Sequence, residues 1–152
     1  MTLHPAIQLR PVTSENWEDV CRLKVAESQK NFVASNAHSL AMAAYVPGLY
    51  PLAIYDEHGD LVGFIMYGWW EENPGWWIAR VMVDERHQRR GYGRVAIEIV
   101  AGRVKHDHSG EAVNLSVESE NKGAITLYES LGFKATGEKF GDQIVMRKPL
   151  AE

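Results

Sequence analysis

Cysteine is almost missing from this 152-residue chain. A single thiol, Cys21, excludes an intrachain disulfide and fits a reducing compartment. Long apolar runs are missing too: no stretch reaches the roughly 18–20 residues that a membrane-spanning helix needs, and residues 1–10 contain no apolar region typical of a signal peptide. We therefore expect a cytoplasmic protein with no membrane partner.

The chain also lacks an excess of basic residues. Its 16 Lys and Arg against 20 Asp and Glu give a net charge of −4, so a nucleic-acid partner is not favoured. Repeats, low-complexity tracts and Pro/Ser-rich linkers are missing as well. The composition is 45% hydrophobic and 24% charged, and a domain of this length buries roughly 68–70% of its unfolded surface. We expect a single domain over residues 1–152.

Basic charge is nevertheless concentrated in one segment that contains glycine. Residues 81–94 end an apolar strand and then open a helix with apolar periodicity. Gly91 and Gly93 carry no Cβ, so the backbone can approach a ligand closely and direct successive N–H groups at one point. The helix adds its unpaired first-turn N–H groups and the positive end of its dipole, and three arginines add full charge. This segment, residues 88–94, is called the glycine loop below and predicts a phosphate site.

Two motifs in this order resemble a known family. The pattern Q-x-x-G-x-G at Gln88–Gly93, directly after a strand, resembles the acyl-CoA pyrophosphate loop of the GNAT superfamily of N-acetyltransferases. Residues 115–133 resemble its second motif, strand-x-x-x-N-x-x-A-x-x-L-Y-x-x-x-G-F. Because two ordered motifs are more specific than one, the resemblance favours this family over a strand-to-helix turn that merely needs glycine.

The element order around the motifs is consistent with that resemblance. Periodicity predicts a strand at 7–12, helices at 17–30 and 39–45, strands at 52–55, 61–67 and 76–83, a helix at 92–103, a strand at 113–117, a helix at 121–131 and a strand at 144–146. Only the 81–117 connection needs a parallel strand pair. The expected class is α/β: the GNAT acyl-CoA N-acyltransferase fold, a mostly antiparallel mixed sheet of about 6–7 strands with about 4 helices, splayed between its two central strands.

The resemblance also implies a cofactor site. The backbones of Met82 and Val83 would pair with the pantetheine arm of acetyl-CoA, and Asn121 and Ala124 would contact its far side. The N–H groups of the glycine loop would hold the pyrophosphate. The implied acetyl-CoA-binding residues are Met82, Val83, Gln88, Arg89, Arg90, Gly91, Tyr92, Gly93, Arg94, Asn121, Ala124 and Tyr128. No metal is expected.

Tyr128 is the implied catalytic residue, because the matching tyrosine in the family is the general acid for the departing thiolate. An ordinary tyrosine (pKa ~10) is a weaker acid than a thiol (~8.5), so full proton transfer is uphill by about 2 kcal/mol. A hydrogen bond to the developing thiolate is then the larger contribution. From helical spacing alone, Tyr128 could equally be a core residue beside Leu127 and Leu131.

The acceptor is expected to be a primary amine, which attacks the thioester directly in a ternary complex. Residues 31–40, 63–68 and 84–86 resemble bacterial spermine/spermidine acetyltransferases, which makes a polyamine the leading acceptor. The amine must first lose a proton, since an alkylammonium has a pKa of ~10.4. Several polyamine-acetylating relatives carry an acid where this chain has Ala79-Arg80, so the base is left to Glu71, Glu72 or a water chain.

Several aromatic and histidine positions allow two interpretations. Strand alternation would place one tryptophan of each pair, Trp69-Trp70 and Trp76-Trp77, on each sheet face. There the rings would either line an acceptor cleft and attract a cation, or pack against neighbouring residues. Phe32, Tyr45 and Tyr50 line either an acceptor site or the core. The segment 106–108 has close metal-ligand spacing without a companion cluster, which is more typical of a solvated helix end.

Alternative functions stay open at this point. Gly91–Ala96 matches the dinucleotide fingerprint G-x-G-x-x-A, but seven residues separate it from the strand and too few residues follow Glu118 for a second βαβ half. Other small amines, amino acids or a protein N-terminus are alternative acceptors. A non-catalytic acyl-CoA sensor is the alternative of another class. Many family members form homodimers, so a homodimer is also an open expectation.

Overall fold

The computed structural model describes residues 4–25 and 35–150. Over these ranges the chain forms seven strands and four α-helices, which confirms the expected α/β class. The strands are β1 Ile7–Pro11, β2 Leu49–Asp56, β3 Leu61–Trp70, β4 Gly75–Val83, β5 Ala112–Glu118, β6 Lys134–Phe140 and β7 Gln143–Pro149. The helices are α1 Trp17–Arg22, α2 Asn36–Tyr45, α3 Tyr92–His108 and α4 Lys122–Ser130, with a 3-10 turn at Glu85–His87.

All seven strands belong to one sheet, in the order β1-β2-β3-β4-β5-β7-β6. Every neighbouring pair is antiparallel except β4 and β5, because α3 carries the chain across the sheet between them. Their pairing is short: it joins Trp76 to Val113 and Trp77 to Asn114. Beyond these residues β4 stays paired with β3, and β5 with β7. The two central strands therefore separate, as expected, and leave a gap.

The helices cover the two faces of the sheet. On one face α3 and α4 pack over the larger core, which includes Ile65, Val100, Leu115 and Phe133. On the other face α1 and α2 pack over a smaller core around Phe64 and Met66. No helix within the described ranges is long and apolar enough to cross a membrane.

Helix α1 is shorter than the periodicity predicts. It ends at Arg22, and Leu23 is already extended. The backbone of Lys24 is bound from another element: its N–H donates to the Asp84 carboxylate, and its carbonyl accepts from the N–H of Glu85. These tertiary hydrogen bonds replace the helical ones. The rest of the predicted helix, residues 26–30, lies outside the described residues.

Several other boundaries moved and one strand was missed. Helix α2 begins earlier than predicted because the Ser35 hydroxyl accepts from the N–H of His38 and caps it. Helix α3 continues to His108, where Ser109 adopts a left-handed conformation. Strand β6 has only exposed residues, so it has no hydrophobic alternation to detect; antiparallel pairing with β7 holds it in the sheet.

Strand β4 contains a β-bulge at Ala79. Tyr67 pairs with Ile78 and Met66 with Arg80, so Ala79 has no partner on β3. The bulge reverses the alternation of side chains along the strand. Ile78 and Val81 both belong to the core under α3, although three positions separate them.

The close approach of β3 to β4 depends on Gly63. A Cβ on Gly63 would lie 2.5 Å from the carbonyl oxygen of Met82. Because this distance is too short, the backbone of β3 or β4 would have to shift. We expect Gly63→Ala to destabilise the fold by about 1–3 kcal/mol, the usual cost of overpacking. Chemical denaturation would measure it. Gly102→Ala is the matched control: nothing lies within 4 Å of a Cβ there, and the change should raise helix stability by about 0.5–1 kcal/mol. Equal stability of the Gly63 variant and the wild type would contradict the close approach.

Candidate active site

The backbone of the glycine loop has the conformation of an anion-binding site, and its two glycines have different roles. Positive φ angles occur at Arg89 (66°) and Gly91 (86°), and Gly91 is the N-cap of α3. Left-handed residues at alternate positions turn nearby N–H groups toward one side. No side chain caps α3 and its first turn contains no acidic residue. The first-turn N–H groups are therefore available to an anion.

Gly93 serves a different purpose, because its φ is not in the left-handed range. A Cβ at this position would contact only the Val83 side chain, at 3.7 Å, which is ordinary van der Waals contact. Gly93 therefore keeps space open in front of the loop. The loop itself is held by side chains at both ends: Gln88 Nε2 donates to the carbonyl of Val83 at 3.0 Å, and Arg94 donates to the Ser130 hydroxyl on α4.

The loop opens into a cleft of about 450 Å³, called the loop cleft below. It is lined by Val25, Val81, Met82, Val83, His87, Gln88, Arg89, Gly91, Tyr92, Gly93, Arg94, Ile97, Asn121, Gly123, Ala124, Leu127 and Tyr128. The structure thus brings together every residue of the expected acetyl-CoA site except Arg90, which is exposed beside it. They come from β4, the glycine loop, α3 and α4, because these elements border the gap between β4 and β5.

Asp84 anchors the entrance to the glycine loop. Asp84 is only 2% exposed. Its carboxylate accepts hydrogen bonds from the N–H of Lys24 at 2.9 Å and from Arg86 Nε at 2.8 Å. Burial alone would raise the pKa of this carboxyl, but the hydrogen bonds from Arg86 and Lys24 outweigh it and hold the pKa below its ordinary value. Asp84 therefore stays ionised and fixes the 3-10 turn. In that turn His87 faces the loop cleft, and its Nδ1 is buried without a hydrogen-bond partner among the described residues.

Tyr128 lies in the loop cleft on α4 and is 9% exposed. Its hydroxyl makes no hydrogen bond within the described part of the chain. Burial raises the pKa of Tyr128 to about 12, and the positive charge of Arg80 opposes this rise. The phenol is therefore protonated at any physiological pH. The pKa gap to an ordinary thiol is wider than the sequence suggests, so full proton transfer is uphill by about 5 kcal/mol. The Tyr128 phenol is therefore suited to donate a hydrogen bond and not to transfer its proton fully.

Arg80 is a site residue that sequence reasoning missed, since that position was read only as a missing acid. It is 7% exposed, and its Nε and Nη2 donate to Asn36 Oδ1 at 3.1 and 2.8 Å. No carboxylate pairs with it among the described residues, and burial lowers its pKa to about 10. Its electrostatic interaction with Tyr128 places positive charge beside the gap. A lone arginine in the apolar run 76–83 was the available signal.

The tryptophan pairs are divided between the two sheet faces, as alternation predicted. Trp69 packs edge-to-face on Trp76, and Trp76 also contacts His108. On the opposite face, Trp77 packs against Phe140. Glu71 accepts a hydrogen bond from Trp69 Nε1, whereas Glu72 lies on the side of Trp77. Neither glutamate lines the loop cleft.

The remaining aromatic and histidine candidates lie away from the loop cleft. His108 Nε2 is 3.1 Å from the Tyr67 hydroxyl, so this residue packs among rings and is not a freely solvated helix end. Tyr50 stacks on Tyr67, while Tyr45 is 88% exposed and so is not a core residue. Phe32 lies outside the described residues. Within residues 4–25 and 35–150, no three His, Cys, Asp or Glu side chains are grouped to hold a metal ion.

The raised pKa of Tyr128 gives a direct test. At pH 10 an ordinary tyrosine is half ionised, whereas Tyr128, with a pKa of about 12, should stay almost wholly protonated. The ultraviolet tyrosinate absorbance of the wild type and of Tyr128→Phe should therefore be equal at pH 10. A loss of tyrosinate absorbance at pH 10 in the Tyr128 variant would contradict the burial argument.

Comparison with known proteins agrees with this geometry. A spermine/spermidine N(1)-acetyltransferase of Bacillus subtilis is 32% identical over 152 residues, covering 95% of this chain and 99% of that protein. An L-amino acid N-acyltransferase of Escherichia coli is 29% identical over 101 residues, covering 60% of this chain and 58% of that protein.

Solved structures share the fold at lower identity. A Vibrio cholerae spermidine N-acetyltransferase, solved in complex with CoA and spermine, superposes with a TM-score of 0.70 at 18% identity and covers 93% of this chain and 92% of that one. The Acetyltransferase (GNAT) family model matches residues 15–133, which include the glycine loop and α4. The chain therefore belongs to the GNAT acetyltransferase family and is an acetyl-transferring enzyme.

Proposed function

We propose that this enzyme transfers an acetyl group from acetyl-CoA to a primary amine of a polyamine, such as spermine or spermidine, by direct attack in a ternary complex. The observation that carries the proposal is the loop cleft, in which the uncapped start of α3 and the phenol of Tyr128 line one continuous space along the gap between β4 and β5.

The chain fits acetyl-CoA at three places. The uncapped first turn of α3 and the left-handed residues Arg89 and Gly91 suit a pyrophosphate. The edge of β4 at Met82 and Val83 that faces the gap has no strand partner, although the Val83 carbonyl accepts from Gln88 Nε2, and it suits main-chain hydrogen bonds to the pantetheine arm. Asn121, whose Oδ1 accepts from the N–H of Ala124 and caps α4, would position that helix along the far side of the arm.

The reacting end of the gap favours a neutral amine. Acetyl-CoA supplies an acetyl thioester, which only an unprotonated nitrogen can attack. The buried charge of Arg80 disfavours an ammonium beside it, so it assists loss of the proton. Tyr128, which keeps its proton, would donate a hydrogen bond to the departing sulfur. The described lining of the loop cleft contains no carboxylate, which favours a water chain over Glu71 or Glu72 as the base.

A polyamine is the leading acceptor because the Bacillus subtilis relative that matches almost full-length is named for spermine and spermidine. An amino acid is the second candidate. It is favoured by Arg80, whose buried guanidinium has no carboxylate partner among the described residues, and by the Escherichia coli relative.

A thiol-release assay with acetyl-CoA and a panel of amines separates these functions. We expect release of CoA with spermine and spermidine at rates above those with amino acids. Tyr128→Phe should lower kcat by about 10²–10³-fold, since it removes the donor to the departing sulfur. Its affinity for acetyl-CoA should be nearly unchanged, which isothermal calorimetry would check.

The outcomes are distinct. Turnover of amino acids alone would replace the polyamine by the second candidate. Binding of acetyl-CoA with no turnover of any amine in the panel would contradict the proposed acceptor class. Wild-type turnover by the Tyr128 variant would remove this residue from the mechanism.

The glycine loop is tested best at Gly93, because Gly91 needs its left-handed backbone and any substitution there also strains the fold. We expect Gly93→Val to fold normally and to bind acetyl-CoA more than about tenfold more weakly, a loss of about 1.4 kcal/mol, because the side chain fills the space in front of the N–H groups. Calorimetry would give the affinity and thermal melting would verify the fold. Unchanged affinity would place the pyrophosphate elsewhere.

A further inference from the structure

A second pocket, called the aromatic pocket here, lies by the β3–β4 turn on the sheet face opposite α3 and α4. It has a volume of about 400 Å³ and is lined by Trp70, Glu72, Asn73, Trp77, Ala79, Ser116 and Phe140. Three of these residues are aromatic and one is acidic, and none of the described lining residues is basic. Neither of the two roles discussed above, acetyl-CoA binding and the reacting phenol, uses this pocket.

The rings of the aromatic pocket are held with their faces available. Trp77 Nε1 donates to the carbonyl of Asn73 at 2.9 Å, which fixes the indole. The Trp77 and Phe140 centroids are 5.8 Å apart and the rings are inclined at 46°, so they are not stacked face to face. Aromatic faces carry negative partial charge and attract a cation. Glu72 adds a full negative charge and no lysine, arginine or histidine is among the described lining residues, so the pocket suits an ammonium.

The aromatic pocket borders the gap between β4 and β5, because one residue of each strand lines it. Ala79 on β4 and Ser116 on β5 each lie two residues beyond the last paired positions, Trp77 and Asn114. Arg80 follows Ala79 directly and interacts electrostatically with Tyr128. Two neighbouring parts of the gap therefore have opposite preferences. The part beside Arg80 disfavours a positive charge, and the part beside the rings attracts one.

We propose that the aromatic pocket binds the second ammonium group of the acceptor, while the amine at the other end of the same molecule enters the gap beside Arg80 and Tyr128. The acceptor class is thus a flexible diamine or polyamine that keeps one charge when it reacts. This inference rests on the proposed function and deepens it by naming the residues that select the acceptor: Trp70, Glu72, Trp77 and Phe140.

The test compares a polyamine with a monoamine of similar chain length. Phe140→Leu keeps apolar bulk but removes the ring, and Glu72→Gln removes the charge from an exposed side chain. We expect each variant to raise KM for spermidine by roughly fivefold to tenfold, the size of a cation–π or charge contact at a partly exposed site, with kcat little changed. KM for butylamine and for acetyl-CoA should not change.

Two controls keep the test specific. Phe140→Tyr retains an aromatic face and should restore a KM for spermidine near that of the wild type. Trp69→Leu alters a tryptophan on the other sheet face whose exposure is comparable to that of Phe140. This variant should keep the preference for spermidine over butylamine. If the wild type acetylates spermidine and the Phe140 and Glu72 variants keep its KM, the aromatic pocket is not the subsite and the proposed function stands. If the wild type acetylates no polyamine, both fail.

Discussion

The site depends on how briefly β4 and β5 are paired. Two residue pairs, at Trp76 and Trp77 of β4, are enough to place the strands side by side. After them each strand keeps its outer partner and loses its inner one, so the sheet stays intact while its middle opens. The inner edges then present N–H and C=O groups that no neighbouring strand satisfies. Such groups are costly unless water or a ligand satisfies them, and an extended acyl carrier is a ligand of the right form.

Electrostatics at the end of this gap come from two buried groups that influence each other. Tyr128 is held neutral by burial, and Arg80 keeps its charge close by without a carboxylate partner among the described residues. A buried charge without a counter-ion usually costs stability, and it persists here because Asn36 accepts two of its hydrogen bonds. The result is a local electric field that disfavours cations beside Arg80, whereas the rings and the carboxylate of the nearby aromatic pocket attract them.

The sequence predicts most of the elements and the glycine loop, because both are encoded locally. Periodicity locates α3 and α4, and the Gln88–Gly93 motif locates the loop. The remaining features depend on tertiary contacts. The end of α1 is set by Asp84, which lies 60 residues away from Lys24. Strand β6 is held by its neighbour without any apolar pattern. The separate functions of Gly91 and Gly93 become visible only from the backbone angles and the surrounding atoms. The homodimer stays a prediction.

The bulge at Ala79 determines which side chains meet. Regular alternation from Trp77 would send Ala79 and Val81 to the face of α2, and Arg80 to the face of α3. With one unpaired residue inserted, Trp77 and Arg80 instead share a face although they are three positions apart. In relatives whose β4 is one residue longer or shorter at this point, the same amino acids would face the opposite side of the sheet. Insertions and deletions in this strand should therefore alter acceptor choice more abruptly during evolution than substitutions do.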